Sequence, residues 1–273
     1  MKKIFMVGFV AVAIAVITLG NMYWNNKIKA TTQEANHKAQ GENVVGKNAI
    51  NILKERKADS ILDWLKYTST QKESINMSVL GSSVTAGDGA SDIEKSWAKL
   101  FANYLTALDG VNQINLVRNG YSGYSTANLI DNNKISEVIK NKPDIIFFEL
   151  CLLNNAGQNI PLEKTYEDID NIIGELKNNL PESLIVLQTA DSIPNDKRNK
   201  VGLTYDDYNR EVKKYAVDKG YNFIDTYEEF KGIVQKEKLN YKDILVDGIH
   251  PNDEGYKIWF NILKENINKT PAK

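Results

Sequence analysis

The sequence predicts a three-layer α/β/α sandwich built around a central parallel sheet of about five strands. Two patterns lead to this fold class. From about residue 74 onward, short apolar runs alternate with longer amphipathic runs, which is typical of repeated strand–helix–strand units. The short runs are apolar on both faces, as expected of strands that helices cover on both sides.

Each strand is predicted from a short run that is rich in large or β-branched apolar residues. The clearest is the segment DIIFFEL, which is apolar almost throughout. An open parallel sheet of this kind is flavodoxin-like, and its sites form beyond the carboxyl ends of the strands. The predicted strands cover residues 76–81, 113–119, 144–150, 183–190 and 221–227.

The helices are predicted from longer runs in which apolar residues recur at helical spacing. The run before Gly220 is the most complete, because this glycine closes it in the way that helices commonly end. The predicted helices cover residues 91–108, 126–139, 166–180, 205–220 and 253–267.

Composition excludes several classes of protein. The net charge is −1 and the lysines are scattered among acids, so a nucleic-acid partner is not expected. The single cysteine, Cys151, rules out an intrachain disulfide and a four-cysteine zinc site, and it is interpreted as a small buried hydrophobe. Only His37 and His250 could serve histidine chemistry.

Residues 1–26 are predicted to form a separate membrane segment. Two lysines precede an apolar run over residues 4–20, and with residues 22–24 the run reaches about 20 residues, enough to span a bilayer. The pattern favours an uncleaved anchor that leaves the body outside the cell membrane. The alternative is a cleaved signal peptide and a secreted protein.

Residues 27–73 connect this segment to the main domain, which is predicted over residues 74–270. The first part is a polar tether that contains His37. A helix is predicted over residues 47–67, and it either packs against the main domain or lifts that domain from the membrane.

Residues suited to acyl transfer follow the predicted strands. GSSVTAG follows the first strand, NGYSGYST the second and CLLNN the third, and VDGIHPNDEGY lies beyond the fifth. They supply a serine, glycine amides, a side-chain amide and an Asp/His pair. Taken alone, GSSVTAG could also be a turn, but a phosphate loop is disfavoured because no lysine follows the glycines.

In this order the segments resemble the sequence blocks of SGNH, or GDSL-type, serine hydrolases, a family of esterases and lipases. GSSVTAG is similar to G-D-S-x-[ST]-x-G, and DGIHPNDEGY is similar to D-x-x-H-P-[ND]-x-x-G-[YH]. The resemblance covers about residues 74–267. It implies Ser83 as the nucleophile, His250 as the general base and Asp247 as the residue that orients the base, with no metal and no cofactor.

The same resemblance implies an oxyanion hole made by the backbone N–H of Ser83, the backbone N–H of Gly123 and the side-chain amide of Asn154. Asn155 is the alternative to Asn154. The third block departs from the usual G-x-N-D, because its glycine is missing and Asn155 stands where an aspartate is usual.

The first block also departs from its usual form, because Ser82 replaces the aspartate. A similar third block, with an acid on the strand, occurs in bacterial envelope members of the family. Glu149 is that acid here, and it is expected either to bind backbone amides near the site or to tune the pocket.

The expected activity is hydrolysis of an O-acyl ester, O-acetyl esters included, through an acyl-Ser83 intermediate. The inferred location indicates a glycan ester of the cell envelope or the extracellular space, although a small-molecule ester is also compatible. The alternatives are an O-acyltransferase or a lipid-directed esterase on the same triad. A non-catalytic glycan-binding protein on a decayed hydrolase fold is a further alternative.

Overall fold

The central sheet of the computed structural model, which describes residues 59–194 and 197–272, has five parallel strands in the order β2-β1-β3-β4-β5. All neighbouring strands pair in parallel, so the predicted sheet is confirmed. The strands are β1 (Ser74–Gly81), β2 (Gln113–Gly120), β3 (Ile145–Glu149), β4 (Leu184–Gln188) and β5 (Asn222–Ile224).

Helices cover both faces of this sheet. In the described part of the chain they are α1 (Ile61–Gln71), α2 (Ser83–Ala86), α3 (Trp97–Thr106), α4 (Thr126–Asp131), α5 (Lys134–Lys140), α6 (Leu152–Gly157), α7 (Leu162–Asn179), α8 (Tyr205–Asp218), α9 (Thr226–Glu237), α10 (Tyr241–Ile244) and α11 (Asp253–Asn266). A short 3₁₀ turn, Ile93–Lys95, precedes α3.

The strand β3 shows why the short runs are apolar on both faces. Ile145 and Phe147 pack into one hydrophobic cluster, together with residues of α1, α3, α9 and α11. Ile146 and Phe148 pack into the other cluster, together with residues of α4 to α8. Successive side chains of a strand point to opposite faces, so a strand between two helical layers must be apolar at every position. The three-layer fold class is therefore confirmed.

The helix α1 belongs to the first of these layers. Ile61, Trp64 and Leu65 are buried in its hydrophobic cluster. The backbone N–H groups of Ile61 and Leu62 donate to carbonyls at the end of the chain, those of Thr270 and Ile267, at 3.0 Å each. The helix that directly precedes the sheet therefore packs against the main domain.

One predicted helix, over residues 126–139, is two helices. It breaks between α4 and α5 at Asn133, whose φ is 54°. Asparagine tolerates the left-handed conformation better than most residues, so a helix can end and restart there. The apolar period continues across the break, which is why the sequence pattern indicated one helix.

The fifth strand is shorter than predicted and the helix after it was missed. Residues 221–227 were expected to be extended, but β5 ends at Ile224. The Asp225 side chain then accepts a hydrogen bond from the Glu228 N–H and caps α9. An aspartate followed by acids in the first turn is a helix start, so this signal was present in the sequence.

The predicted membrane segment, the tether with His37 and residues 47–58 of the helix predicted before the sheet lie outside the described residues. Across residues 59–194 and 197–272, no helix has the length and apolar character needed to cross a membrane.

Candidate active site

The nucleophile candidate lies at the carboxyl end of β1. Ser83 is the first residue of α2, a four-residue helix that Gly87 ends with a φ of 97°. Its Oγ lies 3.1 Å from Nε2 of His250, which comes from the loop before α11. The chain therefore brings together two residues that are 167 positions apart in sequence.

Asp247 completes this chain of hydrogen bonds. Its Oδ2 lies 2.7 Å from Nδ1 of His250. Its Oδ1 accepts hydrogen bonds from the backbone N–H groups of Ile249 and His250, at 3.0 Å and 2.8 Å. One turn of backbone thus fixes the carboxylate and the imidazole relative to each other, as their spacing in sequence indicated.

Asp247 is held in its charged form. Burial of the carboxyl raises its pKa, but the hydrogen bonds from the backbone and side chain of His250 and from the Ile249 backbone outweigh burial, so the pKa lies below its usual value. A charged carboxylate against Nδ1 keeps the proton of a neutral imidazole on that nitrogen. Nε2 is then free to accept the proton of Ser83.

The two adjacent serines point to different partners. Ser83 Oγ faces His250, whereas Ser82 Oγ donates to Oε2 of Glu149 at 2.7 Å. Of the two serines, only Ser83 faces the histidine, so Ser83 is the candidate nucleophile of this site.

The loop after Ser83 packs closely on the loop that carries His250. The Tyr256 hydroxyl donates to the carbonyl of Asp88 at 2.6 Å. At Gly89 a Cβ would lie 3.0 Å from Cβ of His250 and would overlap the carbonyl oxygen of Pro251. Gly89 and Tyr256 thus hold the segment after Ser83 against the segment that carries His250. Neither residue was among the predicted site residues, although Tyr256 is the last residue of the segment DGIHPNDEGY.

We expect Gly89→Ala to lower kcat/KM by at least about tenfold, because an added methyl group displaces His250 from Ser83. Gly89 also has φ of 93°, a backbone conformation that is strained for alanine. Gly220→Ala is the matched control, since Gly220 has φ of 71° and free space for a Cβ. Equal losses of kcat/KM in the two variants would show that backbone strain alone is responsible.

The candidate oxyanion donor Gly123 lies in the loop after β2, which docks on the nucleophile loop. Ser122 donates from its Oγ to the carboxylate of Asp88 at 2.6 Å. The Gly123 carbonyl accepts from Nε2 of Gln158 at 3.0 Å, and Gln158 immediately follows α6. This amide therefore ties the Gly123 loop to the helix that carries Asn154.

The two candidate asparagines of α6 differ in their environment. Asn155 is fully buried, and its amide nitrogen donates to the hydroxyls of Thr126 and Thr165 at 2.9 Å and 3.1 Å. Both of its N–H groups are therefore used within the fold, so Asn155 is not an oxyanion donor. Asn154 is half-buried, and no hydrogen bond within the described residues engages its side chain. Its amide remains available to a substrate.

The residue between β3 and α6 has an unusual backbone conformation. Cys151 has φ of 55°, in the left-handed region where glycine is usual. Its thiol is buried, and burial followed by the charge of Glu149 raises its pKa well above the usual value. Such a thiol is inert, which confirms that Cys151 is a buried hydrophobe. Within the described residues no cluster of histidine, cysteine and acidic side chains could hold a metal ion.

Comparison with known proteins agrees with this geometry. The model of the GDSL-like lipase/acylhydrolase family matches residues 79–258. The chain belongs to this family. It is thus an SGNH-type serine hydrolase that acts on carboxylic esters. No curated protein sequence matches it.

Several solved structures share the fold. An acetylxylan esterase from Geobacillus stearothermophilus has a TM-score of 0.57 at 20% identity, over 71% of this chain and 94% of that one. A two-domain esterase active on acetylated mannans has a TM-score of 0.63 at 14% identity, over 78% of this chain and 54% of that one. A G-D-S-L family lipolytic protein from Veillonella parvula has a TM-score of 0.55 at 17% identity, over 71% and 98%. At these identities the likeness concerns the fold.

Proposed function

We propose that this SGNH hydrolase is an esterase that removes O-acyl groups, in particular O-acetyl groups, from a glycan of the cell envelope or the extracellular space. The observation that carries the proposal is the chain of contacts from Ser83 Oγ to His250 Nε2 at 3.1 Å and from His250 Nδ1 to Asp247 at 2.7 Å. This chain has the geometry that nucleophilic catalysis by a serine requires.

The first half of the reaction acylates the serine. His250 takes the proton of the Ser83 hydroxyl as Oγ attacks the ester carbonyl. The N–H groups of Ser83 and Gly123 and the amide of Asn154 stabilise the negative charge that develops on the carbonyl oxygen. The tetrahedral intermediate then collapses, the alkoxide of the glycan leaves with the proton held by His250, and the acyl group stays on Ser83.

The second half releases the acyl group. Water enters, loses a proton to His250 and attacks the acyl carbonyl. The new tetrahedral intermediate expels Ser83 Oγ, which recovers its proton from His250. Acetate and the free enzyme are the products when the acyl group is acetyl.

The solved structures with this fold support a glycan as the alcohol part of the ester. They include a protein described as an acetylxylan esterase and another described as an esterase active on acetylated mannans.

The proposed activity is tested by measuring the acetate that purified full-length protein releases from ester substrates. The substrates are p-nitrophenyl acetate, butyrate and octanoate, together with acetylated xylan and acetylated mannan. We expect turnover of the acetate ester and release of acetate from at least one glycan, and no turnover by Ser83→Ala. A preference for the octanoate would favour the lipid-directed alternative. No turnover of any ester, without labelling of Ser83 by a fluorophosphonate, would refute the enzymatic function.

The cellular location is proposed from the N-terminal sequence alone. Two lysines, an apolar run over residues 4–20 and the aromatic pair Tyr23 and Trp24 are typical of an N-terminal membrane anchor. We expect the protein in the membrane fraction with its N-terminus intact, and accessible to protease from outside the cell. A shortened protein released into the medium would refute the anchor and indicate a cleaved signal peptide.

A further inference from the structure

A buried carboxylate lies between the two loops of the proposed active site. Glu149 is the last residue of β3 and is 1% exposed. Its strand lies beside β1, whose carboxyl end leads into the nucleophile loop. The triad of Ser83, His250 and Asp247 does not use this carboxylate.

Both oxygens of Glu149 accept short hydrogen bonds. Oε2 accepts from the backbone N–H and the hydroxyl of Ser82, each at 2.7 Å. Oε1 accepts from the backbone N–H of Cys151, also at 2.7 Å. Burial raises the pKa of the Glu149 carboxyl above its usual value, although these hydrogen bonds oppose the rise. Each oxygen of Glu149 thus accepts a backbone N–H, one from Ser82 and the other from Cys151.

These contacts join two segments that carry proposed oxyanion donors. Ser82 directly precedes Ser83, whose N–H is one donor. Cys151 directly precedes α6, which carries Asn154. Gly81 leaves room for the carboxylate, because a Cβ there would lie 2.6 Å from Oε2 of Glu149. A single side chain thus sets the position of the nucleophile loop relative to α6.

We propose that Glu149 is a positioning residue that holds the Ser83 loop and α6 at the separation that the oxyanion hole requires. The first block has Ser82 where its usual form has an aspartate, and the acid beside that position comes instead from β3. The proposal rests on the roles proposed for Ser83 and Asn154.

The variant Glu149→Gln tests this role with almost no change in shape. An amide has one accepting oxygen and one donating nitrogen. The oxygen can accept the N–H of either Ser82 or Cys151, but the amide nitrogen then faces the N–H of the other residue, and two donors cannot form a hydrogen bond. We expect kcat to fall about 10²-fold while KM stays within twofold, because a displaced loop weakens transition-state contacts more than ground-state binding. The rate at which a fluorophosphonate labels Ser83 should fall in parallel.

The variant Asp144→Asn is the matched control. Asp144 is also buried and accepts a backbone N–H, that of Asn76 at 2.8 Å. It precedes the amino end of β3, whereas Glu149 is at the carboxyl end. Both substitutions should lower the melting temperature, whereas only Glu149→Gln should lower kcat. If Glu149→Gln does not fold, Glu149→Asp replaces it. Its carboxylate is one methylene too short to hold both loops, so the same loss of kcat is expected.

The outcomes separate this proposal from the proposed function. An active parent whose folded Glu149 variant keeps kcat within twofold would overturn the positioning role and leave the esterase intact. A fall in kcat equal to that of Asp144→Asn would assign Glu149 to stability alone and would also overturn the positioning role. A parent that neither turns over esters nor reacts with the fluorophosphonate would refute the esterase itself.

Discussion

Ser83→Ala is expected to lower kcat by about 10⁴-fold or more, since removal of a nucleophilic serine from a triad costs on this order or higher. The variant keeps the fold, because Ser83 makes its backbone contacts through atoms that alanine retains. Its carbonyl still accepts the N–H of Gly87, which closes the short helix α2. The measurement is kcat on p-nitrophenyl acetate, with fluorophosphonate labelling as the second readout.

Ser82→Ala is the control for this result. The Ser82 hydroxyl donates to Glu149 and not to His250. We therefore expect kcat to fall by at most about tenfold, because the variant loses only one of the hydrogen bonds that Glu149 accepts. The backbone N–H of residue 82 still donates to Glu149 in the variant. A larger loss for Ser82→Ala than for Ser83→Ala would reverse the assignment of the nucleophile.

Asp247→Asn is expected to lower kcat/KM by about 10⁴-fold, the cost seen when the triad carboxylate becomes an amide. The reason lies in the backbone contacts of the carboxylate. Its Oδ1 accepts from the N–H groups of Ile249 and His250, so the oxygen of an asparagine must occupy that place. The amide nitrogen then faces Nδ1 of His250 and donates to it. The imidazole proton is forced onto Nε2, which can no longer accept a proton from Ser83.

The control for this variant is Asp170→Asn. Asp170 also holds several partners, the hydroxyls of Tyr215 and Tyr221 at 2.8 Å each. It belongs to α7, and its contacts share no residue with the site. We expect kcat/KM of this variant within about twofold of the parent, since its effect is confined to a local hydrogen-bond network. An Asp247→Asn variant that keeps more than a tenth of kcat/KM would contradict the triad.

The candidate site could be predicted where its residues are close together in sequence or where glycines flank them. Asp247 and His250 lie three positions apart, so a single turn brings them together. Ser83 lies in a loop bounded by Gly81 and Gly87, which identified the position of the nucleophile. By contrast, the choice between Asn154 and Asn155 required the structure. The buried hydroxyls of Thr126 and Thr165, which use the Asn155 amide, come from segments that no local pattern connects to it.

The fold shows the same division. The spacing of apolar residues and the alternation of strands with helices can be read from short stretches of sequence. These patterns predicted the sheet, the two helical layers and most helices. The division of residues 126–139 into α4 and α5 depends on the backbone of Asn133, and an apolar period carries no information about such a break. The helix α9 had a recognisable start at Asp225 but followed a segment that also fits a strand.

By itself the sequence determined the class of fold, because the alternation of strands and helices is a pattern of spacing along the chain. Its resemblance to the family blocks supplied the candidates for the triad. Only the tertiary structure decided which side chains meet across the site. β1 pairs with β3 although β2 lies between them in sequence, so the carboxylate of Glu149 reaches Ser82, and the bend after β1 brings Gly89 against His250. The order of strands in a sheet is set by packing of the whole core. Alternating apolar and polar runs are compatible with many such orders.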